Sequence, residues 1–344
     1  MKAKLRVGLL GMTHDHVWSV AADFRGSERG ELVAAADPHP ELVEKARAEF
    51  GIAAYQSYEE MLEKTELDAV CVYADNAGSV ELTEMAADRG LHILTEKPMA
   101  ADLAGADAML AAARRAGVQL MVNWPFAWWP PFMHALNLAQ GGRIGRLFET
   151  RYRAAHGGPK ELGCTPFFYE WLYDAERNGA GALMDYCSYG SALARHLLGQ
   201  PSRVTGTVGR LVKDYVTVDD NAIITMQWPR AMALAEASWS QIGHLTSYVT
   251  AIYGTEGTLL VEPGKQGRVL LADREHDMGV ELDAPRLPAE RCNAAAQFLN
   301  CIVVEKAVDG LCSAEVGRDA QEILEAGLLS AASGTAISLP LPLE

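Results

Sequence analysis

Positive charge is scarce in this 344-residue chain: 30 lysines and arginines stand against 45 aspartates and glutamates, a formal net charge of −15. No lysine or arginine run offsets the deficit, so neither a nucleic-acid backbone nor an anionic membrane surface is expected as a partner. Paired cysteines are missing too. The six present (Cys71, Cys164, Cys187, Cys292, Cys301 and Cys312) are scattered without a C-x-x-C spacing. That argues against a zinc ribbon and against a disulfide framework, and makes the cytoplasm the expected compartment. The apolar stretch near the N-terminus ends at Gly11, too short for a signal segment or a membrane span. Internal repeats and low-complexity tracts are absent. The 49% hydrophobic and 22% charged fractions are those of a globular protein. At roughly 150 residues per domain, the length calls for two domains.

From Lys4 to about Val122, short apolar runs alternate with helical patterns, as βαβ units require. Strands are expected at Leu5–Leu10, Leu32–Asp37, Ala69–Tyr73, His92–Leu94 and Gln119–Val122. Helices are expected at Glu41–Phe50, Tyr58–Lys64, Val80–Arg89 and Leu103–Ala116, with Gly90 and Gly117 closing the last two. The fold class is thus α/β, with a doubly wound parallel sheet over residues 1–122. After Asn123 a Trp/Pro-rich crossing, Trp124 to Pro131, leads into segments of period-two alternation such as Phe148–Arg153. Further strands are expected at Arg203–Val208, Ala222–Trp228, Ala233–Ser238, Tyr248–Tyr253 and Thr258–Val261. Residues 123–344 therefore read as an α+β domain with an open, mainly antiparallel sheet. Helices at Asn293–Lys306 and Glu315–Ser330 and a short apolar tail, Ile337–Leu343, complete it.

Three segments carry candidate chemistry. The first strand-to-helix turn reads Gly8-Leu9-Leu10-Gly11-Met12-Thr13-His14-Asp15-His16. In the dinucleotide fingerprint G-x-G-x-x-G, glycines let the backbone turn beneath a pyrophosphate at a helix N-terminus. Here Gly11 fits, while Thr13 and His16 occupy the places of the second and third glycines. Asp37, 21 residues beyond His16, has the offset of a ribose-binding carboxylate, which favours NAD over NADP because it would repel a 2′-phosphate. The bland alternative is an aspartate that ends a strand before Pro38. His14-Asp15-His16 also resembles the opening of a metal-dependent hydrolase barrel, but the antiparallel second half lacks the later ligands, and no metal is expected. Glu96-Lys97-Pro98 follows the fourth expected strand, at the edge where open α/β sheets bind ligands. Gly179-Ala180-Gly181-Ala182 precedes a helix that carries Asp185 and Tyr189, whose i,i+4 spacing puts carboxylate and phenol on one face.

Together these pieces resemble the Gfo/Idh/MocA oxidoreductase family over nearly the whole chain. The carriers are the Gly8/Gly11 turn, Ala36-Asp37-Pro38, Asp68-Ala69-Val70 leading to Asn76, Glu96-Lys97-Pro98, Gly142-Arg143-Ile144-Gly145, Gly181–Tyr189, Ser313-Ala314-Glu315 and Leu339-Pro340. The resemblance implies a Rossmann dinucleotide-binding domain over 1–122 and a substrate-binding and oligomerisation domain over 123–344. It makes Lys97 the catalytic lysine, Pro98 a cis-proline and Asp185 a substrate-binding carboxylate. Tyr189 stands where many members have a catalytic histidine; glucose-fructose oxidoreductase and the dihydrodiol dehydrogenases resemble this sequence in having tyrosine there. Gly8, Gly11, Met12, Thr13, Asp37, Ala74, Asn76, Glu96, Lys97 and Asn123 would face the cofactor, NAD by preference with NADP possible. Trp124, His156 and Trp171 join Lys97, Asp185 and Tyr189 as expected cleft residues, with burial in the core the alternative for each Trp. Ala74-Asp75, Ser79 and Ala127 replace residues common in the family.

The chemistry so implied is hydride transfer between nicotinamide and a carbinol carbon of a sugar, polyol or cyclic diol, in a homodimer or homotetramer. An ammonium beside Tyr189 would favour its phenolate. Alternatives are an NAD-dependent glycoside hydrolase or lyase with transient redox and a non-catalytic dinucleotide sensor.

Overall fold

The structure, a computed structural model, describes residues 4–342. Met1 to Ala3 and Leu343, the end of the expected tail, lie outside the described residues. The first half runs β1 (Leu5–Leu10), α1 (His16–Asp23), β2 (Gly30–Ala36), α2 (Pro40–Phe50), β3 (Ala53–Tyr55), α3 (Tyr58–Lys64), β4 (Ala69–Val72), α4 (Gly78–Ala87), β5 (His92–Glu96), α5 (Leu103–Ala116) and β6 (Leu120–Asn123). Its six strands form a sheet in the order β3-β2-β1-β4-β5-β6, with every pairing parallel. This is the doubly wound order, and its topological switch lies between β1 and β4, whose carboxyl ends open a crevice. β4 is buried along its whole length, as a central parallel strand must be.

The second half runs α6 (Pro130–Gln140), β7 (Leu147–Ala155), α7 (Pro166–Leu172), α8 (Ala175–Asn178), a π-turn (Leu183–Cys187), α9 (Ser188–Leu198), β8 (Arg203–Gly209), β9 (Asn221–Trp228), β10 (Ala231–Ser238), β11 (Val249–Gly254), β12 (Gly257–Val261), β13 (Val269–Asp273), β14 (Val280–Leu282), α10 (Ala294–Val303), α11 (Ala314–Ser333) and β15 (Ile337–Ser338). Nine strands form an open sheet, β14-β13-β12-β11-β7-β10-β9-β8-β15, in which β7 and β10 are the parallel pair and the other pairings are antiparallel. Along β9, Ala222, Ile224 and Met226 face the core, while Ile223, Thr225 and Gln227 face outward. Helices α9 and α11 cover the inner face. A Cβ at Gly190 of α9 would meet the Ala235 Cβ at 2.5 Å, so small residues let α9 lie close on β10 and fix the height of the segment before it.

The expected strands and helices are present to within a few residues at each end. β3, β13, β14 and β15 were not anticipated, being two to five residues long; such short runs show little period-two alternation. α6 begins inside the Trp/Pro-rich crossing, where Pro130 and Pro131 occupy the first helical turn, the one place that needs no N–H. The C-terminal segment returns to the first half. α10 packs on α1, and α11 packs on α5 and β6. Among the described residues no helix is long and apolar enough to cross a membrane.

α11 sits so close on β8 that a Cβ on Gly206 would meet backbone, with the Gly327 carbonyl carbon at 2.7 Å. Backbone cannot rotate away as a side chain can. Gly206→Ala is expected to destabilise the fold by about 1–3 kcal/mol, the usual cost of overpacking, read as a lower denaturation midpoint; an unchanged midpoint would refute this packing.

Candidate functional site

The crevice at the sheet switch is shaped by backbone. Gly11 has φ +78, and a Cβ there would meet the Ala74 nitrogen at 2.7 Å, so the β1 and β4 loops touch. The Gly11 N–H donates to the Ala36 carbonyl at 2.9 Å, tying the turn to β2. The Asp15 side chain does not cap α1; its carboxylate turns away and accepts from the Thr165 N–H and hydroxyl at 2.7 and 2.6 Å. The Thr13 hydroxyl is buried with no hydrogen-bond partner among the described residues. An orphaned buried hydroxyl beside a helix N-terminus fits a pyrophosphate. Asp37, fully buried at the tip of β2, accepts from the Met12 N–H at 2.6 Å and from the His39 N–H at 2.9 Å, with the His39 ring 2.6 Å away. Asn76 donates to the Asn178 carbonyl and side-chain oxygens at 3.2 and 2.8 Å, which leaves its own amide oxygen to accept from a ribose hydroxyl. These residues suit a nicotinamide dinucleotide.

Beyond β5 the chain runs through a cis Lys97-Pro98 bond. The Lys97 ammonium, 3% exposed, donates to Asp185 Oδ1 at 2.5 Å and lies 3.3 Å from the Asp185 carbonyl. The other carboxylate oxygen accepts from Trp239 Nε1 at 3.2 Å. Asp185 sits in the π-turn rather than in regular α-helix, a local widening that recurs at functional sites. Asp219 holds that turn, accepting from the Gly181 and Leu183 N–H groups at 2.7 and 2.8 Å. The small residues before it do what their size suggested: Cβ atoms at Gly179 and Gly181 would meet the carbonyl carbons of Ala101 and Asp219 at 2.9 Å. The Tyr189 ring lies 5.0 Å from the ammonium and stacks on Tyr152 at 5.6 Å. Burial pushes its phenol well above the ordinary range, and nearby Tyr152, Tyr248, Asp185 and Glu96 push the same way. The expectation that the ammonium would favour phenolate is therefore corrected: desolvation outweighs it, and the resting group is a neutral phenol.

Glu96 gathers a second cluster. Its carboxylate accepts from the Asn123 amide and the Lys97 N–H at 3.2 Å, with His16 Nδ1 at 3.2 Å and His14 Nε2 at 4.0 Å. The ligand-capable atoms of His14, His16 and Glu96 fall within 4.8 Å of one another. His14 Nδ1 accepts from the His16 N–H at 3.2 Å, so its Nε2 carries the ring proton and faces Glu96, the tautomer of a hydrogen-bond donor rather than of a ligand through that nitrogen. Burial, with His16 and Lys97 beside it, holds the His14 ring well below its usual range and hence neutral.

His156 has both ring nitrogens engaged, Nδ1 accepting from the Gly158 N–H at 2.8 Å and Nε2 2.5 Å from the Tyr186 hydroxyl. That hydroxyl also lies 3.0 Å from the Tyr248 hydroxyl. His156 therefore bears on Tyr186 and keeps no free nitrogen for a substrate. Trp124 and Trp171 are core residues, 0% and 1% exposed; Trp124 backs the Tyr189 ring edge-on at 5.8 Å, and Trp171 lies 5.8 Å from His14. Gly8 lies within β1 with a Cβ position 3.0 Å from Leu67, so it serves strand packing. Tyr186, Tyr248 and Trp239 escaped the sequence reading. Tyr186 was visible only as one more aromatic in a helical run, and the other two come from distant loops.

Residues 5–124 match the model described as the oxidoreductase family with an NAD-binding Rossmann fold, and residues 132–260 match the GFO/IDH/MocA C-terminal domain. The chain is 30% identical, over 60% of its length and 58% of the relative's, to a dTDP-3,4-didehydro-2,6-dideoxy-alpha-D-glucose 3-reductase of Streptomyces violaceoruber. It is likewise 30% identical, over 61% of its length and 57% of the relative's, to an NADP(+) D-xylose 1-dehydrogenase of Haloarcula marismortui. The aligned stretch thus spans under two thirds of either curated relative. A levoglucosan dehydrogenase solved with NADH and levoglucosan superimposes with a TM-score of 0.83 at 22% identity, covering 98% of this chain and 100% of that one; at that identity the likeness is one of fold.

Burial holds the His156 ring down to about 4 against an ordinary 6.5. Between those values the unfolded chain binds the extra proton, so the contribution is full above about pH 6.5 and is lost as pH falls toward 4. Its size is about 3 kcal/mol. Denaturation midpoints measured at about pH 7 and pH 4.5 should separate more for the wild type than for His156→Gln; equal separations would refute a buried, neutral His156.

Proposed function

The chain belongs to the GFO/IDH/MocA oxidoreductase family, and from that premise we propose that it moves a hydride between nicotinamide and a carbinol carbon of a sugar, polyol or cyclic diol. The observation that carries the reading is the buried Lys97–Asp185 pair, 2.5 Å apart, at the carboxyl edge of the parallel sheet next to the Gly11 crevice. The named activities of the relatives, a sugar-nucleotide reductase and a xylose dehydrogenase, support a carbohydrate substrate.

The dinucleotide, when bound, supplies the hydride acceptor or donor. Gly11, Thr13 and the start of α1 hold its phosphates, and Asp37 and Asn76 its riboses. Lys97 donates to the substrate oxygen and stabilises the alkoxide character that develops there as the carbon–hydrogen bond weakens. Asp185 keeps the ammonium aimed and accepts from a neighbouring hydroxyl, which suits vicinal diols. The neutral Tyr189 phenol donates into the same space. Tight packing of both domains around these groups excludes water, so each charge acts at low dielectric. NAD is the preferred cofactor, because the Asp37 carboxylate at the β2 tip would repel a 2′-phosphate. The outward face of the open sheet carries exposed Ile223, Met232 and Leu260, and a second copy of the chain covers it, giving a homodimer or homotetramer.

Nicotinamide absorbance followed with NAD and NADP over a panel of aldoses, inositols and cyclic diols should show turnover that prefers NAD. Lys97→Ala should lower kcat by about 100-fold or more while NADH binding persists. Failure to bind either dinucleotide would refute the reading. Asp37→Ser should shift the kcat/KM ratio toward NADP by about tenfold or more, since it removes a repelling charge; an unchanged ratio would show that Asp37 does not select the cofactor.

A further inference from the structure

Oxidising an alcohol releases a proton as well as a hydride, and the buried site must pass that proton to water. Tyr189 shows no onward path: its ring stacks on Tyr152 and lies beside the ammonium. Tyr186, three residues earlier and within the π-turn, has one. Its ring lies 5.5 Å from the Lys97 ammonium. With His156 Nδ1 occupied by the Gly158 N–H, the ring proton sits on Nε2, so His156 donates to the Tyr186 oxygen and Tyr186 is left to donate to Tyr248. The direction of the chain is fixed by that backbone N–H.

Tyr248 ends the loop after β10. It holds a left-handed backbone, φ 55, as does Thr246 at φ 63, an arrangement that costs about 1–2 kcal/mol per residue. The loop is braced to keep it. The Gln241 amide donates to the Leu245 carbonyl at 2.7 Å and the Ser247 hydroxyl at 2.9 Å, and Ser247 donates to the Ala155 carbonyl at 2.5 Å. Ile242 and Leu245, 99% and 88% exposed, put the loop tip in solvent. Tyr248 itself is half-buried, so the strained residue stands between the buried Tyr186 hydroxyl and an exposed loop tip.

Resting on the oxidoreductase reading above, we infer that Tyr186 takes the carbinol proton and Tyr248 passes it to water, with His156 holding Tyr186 in line. As the hydride leaves carbon with its electron pair for nicotinamide, the substrate O–H bond breaks and a Tyr186 O–H bond forms. The original Tyr186 proton moves to the Tyr248 oxygen, whose own proton moves to water. Each phenol gains one O–H bond and loses another, so no phenolate is stored. This matters because burial, with Asp185 beside it, pushes the Tyr186 phenol well above its ordinary range. A group that cannot hold the charge can still conduct the proton.

The experiment compares wild type, Tyr186→Phe, Tyr248→Phe and Tyr189→Phe. NADH binding, followed by fluorescence, reports that each variant is folded. Tyr186→Phe should lower kcat by about 100-fold with KM within about threefold. Tyr248→Phe should lower kcat by about tenfold and regain activity with added imidazole, a diffusible proton carrier that could not repair a merely structural defect. In nucleotide-free protein, a low-field imidazole N–H resonance from His156 should be present and should disappear in Tyr186→Phe. Full kcat in Tyr186→Phe beside an inactive Tyr189→Phe would overturn the inference by sending the proton through Tyr189. A slowed Tyr248→Phe that ignores imidazole would overturn it too, and this variant decides alone if Tyr186→Phe does not fold. Wild type that binds NADH but turns over no alcohol would instead overturn the oxidoreductase reading itself.

Discussion

A lysine ammonium buried against a carboxylate from the other domain is the constraint around which this molecule is built. Removing either charge from water costs several kcal/mol, and their attraction repays this only when the geometry is good and the remaining lone pairs are used. Both conditions are met here. Lys97 donates to Asp185 Oδ1 and lies near the Asp185 carbonyl, while Trp239 Nε1 satisfies Oδ2. The supports are equally specific: Asp219 caps the π-turn from one side, and the glycines at 179 and 181 bring two backbones together that any Cβ would separate. A buried pair of this kind is weak evidence for stability, because apolar residues of similar size would often do as well. Its retention points to chemistry.

The same constraint determines how the two domains meet. Loops at the carboxyl ends of β1 and β4 hold the crevice and are tied to the stretch from Thr165 to Asn178, while the β5 loop reaches the π-turn through Lys97. Asp15 binds Thr165, Arg177 pairs with Asp75 at 2.7 Å, and Asn76 binds Asn178. Asp15 could have capped α1, as aspartate often does at a helix start. It binds Thr165 instead and so fastens the domains with one side chain, while His14 Nδ1 takes the His16 N–H. The loops of the crevice and the segment before Asp185 therefore share hydrogen bonds, which would hold ligands bound to either side at a fixed separation.

How much of this could be read from the amino-acid order depends on the range of the interaction. Periodicity is local, so β1, α3 and α5 lie where the pattern puts them, while β3 and β15, three and two residues long, fall below the length at which alternation shows. Glu96-Lys97-Pro98 and Asp185 were legible because strand ends and small-residue runs are local signals that also mark where ligands bind. Their mutual distance was not, since 88 residues separate Lys97 from Asp185. Tyr186 was harder still. Next to a carboxylate and three residues before Tyr189, it reads as packing, and only the arrival of His156 from β7 and Tyr248 from a loop 62 residues on makes it polar machinery. The i,i+4 argument for Asp185 and Tyr189 assumed α-helix. The π-turn widens the backbone between them, so groups four apart fall short of a full turn where an α-helix carries them past it.

Two effects compete for the tyrosines, and magnitudes decide between them. A nearby ammonium stabilises phenolate, but this ammonium is already neutralised by Asp185 at 2.5 Å, so the pair presents a dipole to Tyr186 and Tyr189 rather than a full positive charge. Desolvation is not diminished in that way. Both phenols are pushed up by burial first, and the Asp185 carboxylate adds to the shift instead of opposing it. A site arranged like this cannot run acid–base chemistry by storing charge on a phenol, as a histidine in place of Tyr189 could by becoming imidazolium. It has to divide the labour: the ammonium stabilises negative charge on the substrate oxygen, the carboxylate aims the ammonium, and hydroxyls that stay neutral carry the proton outward. The neutral Tyr189 phenol and the His156–Tyr186–Tyr248 chain are then two parts of one solution.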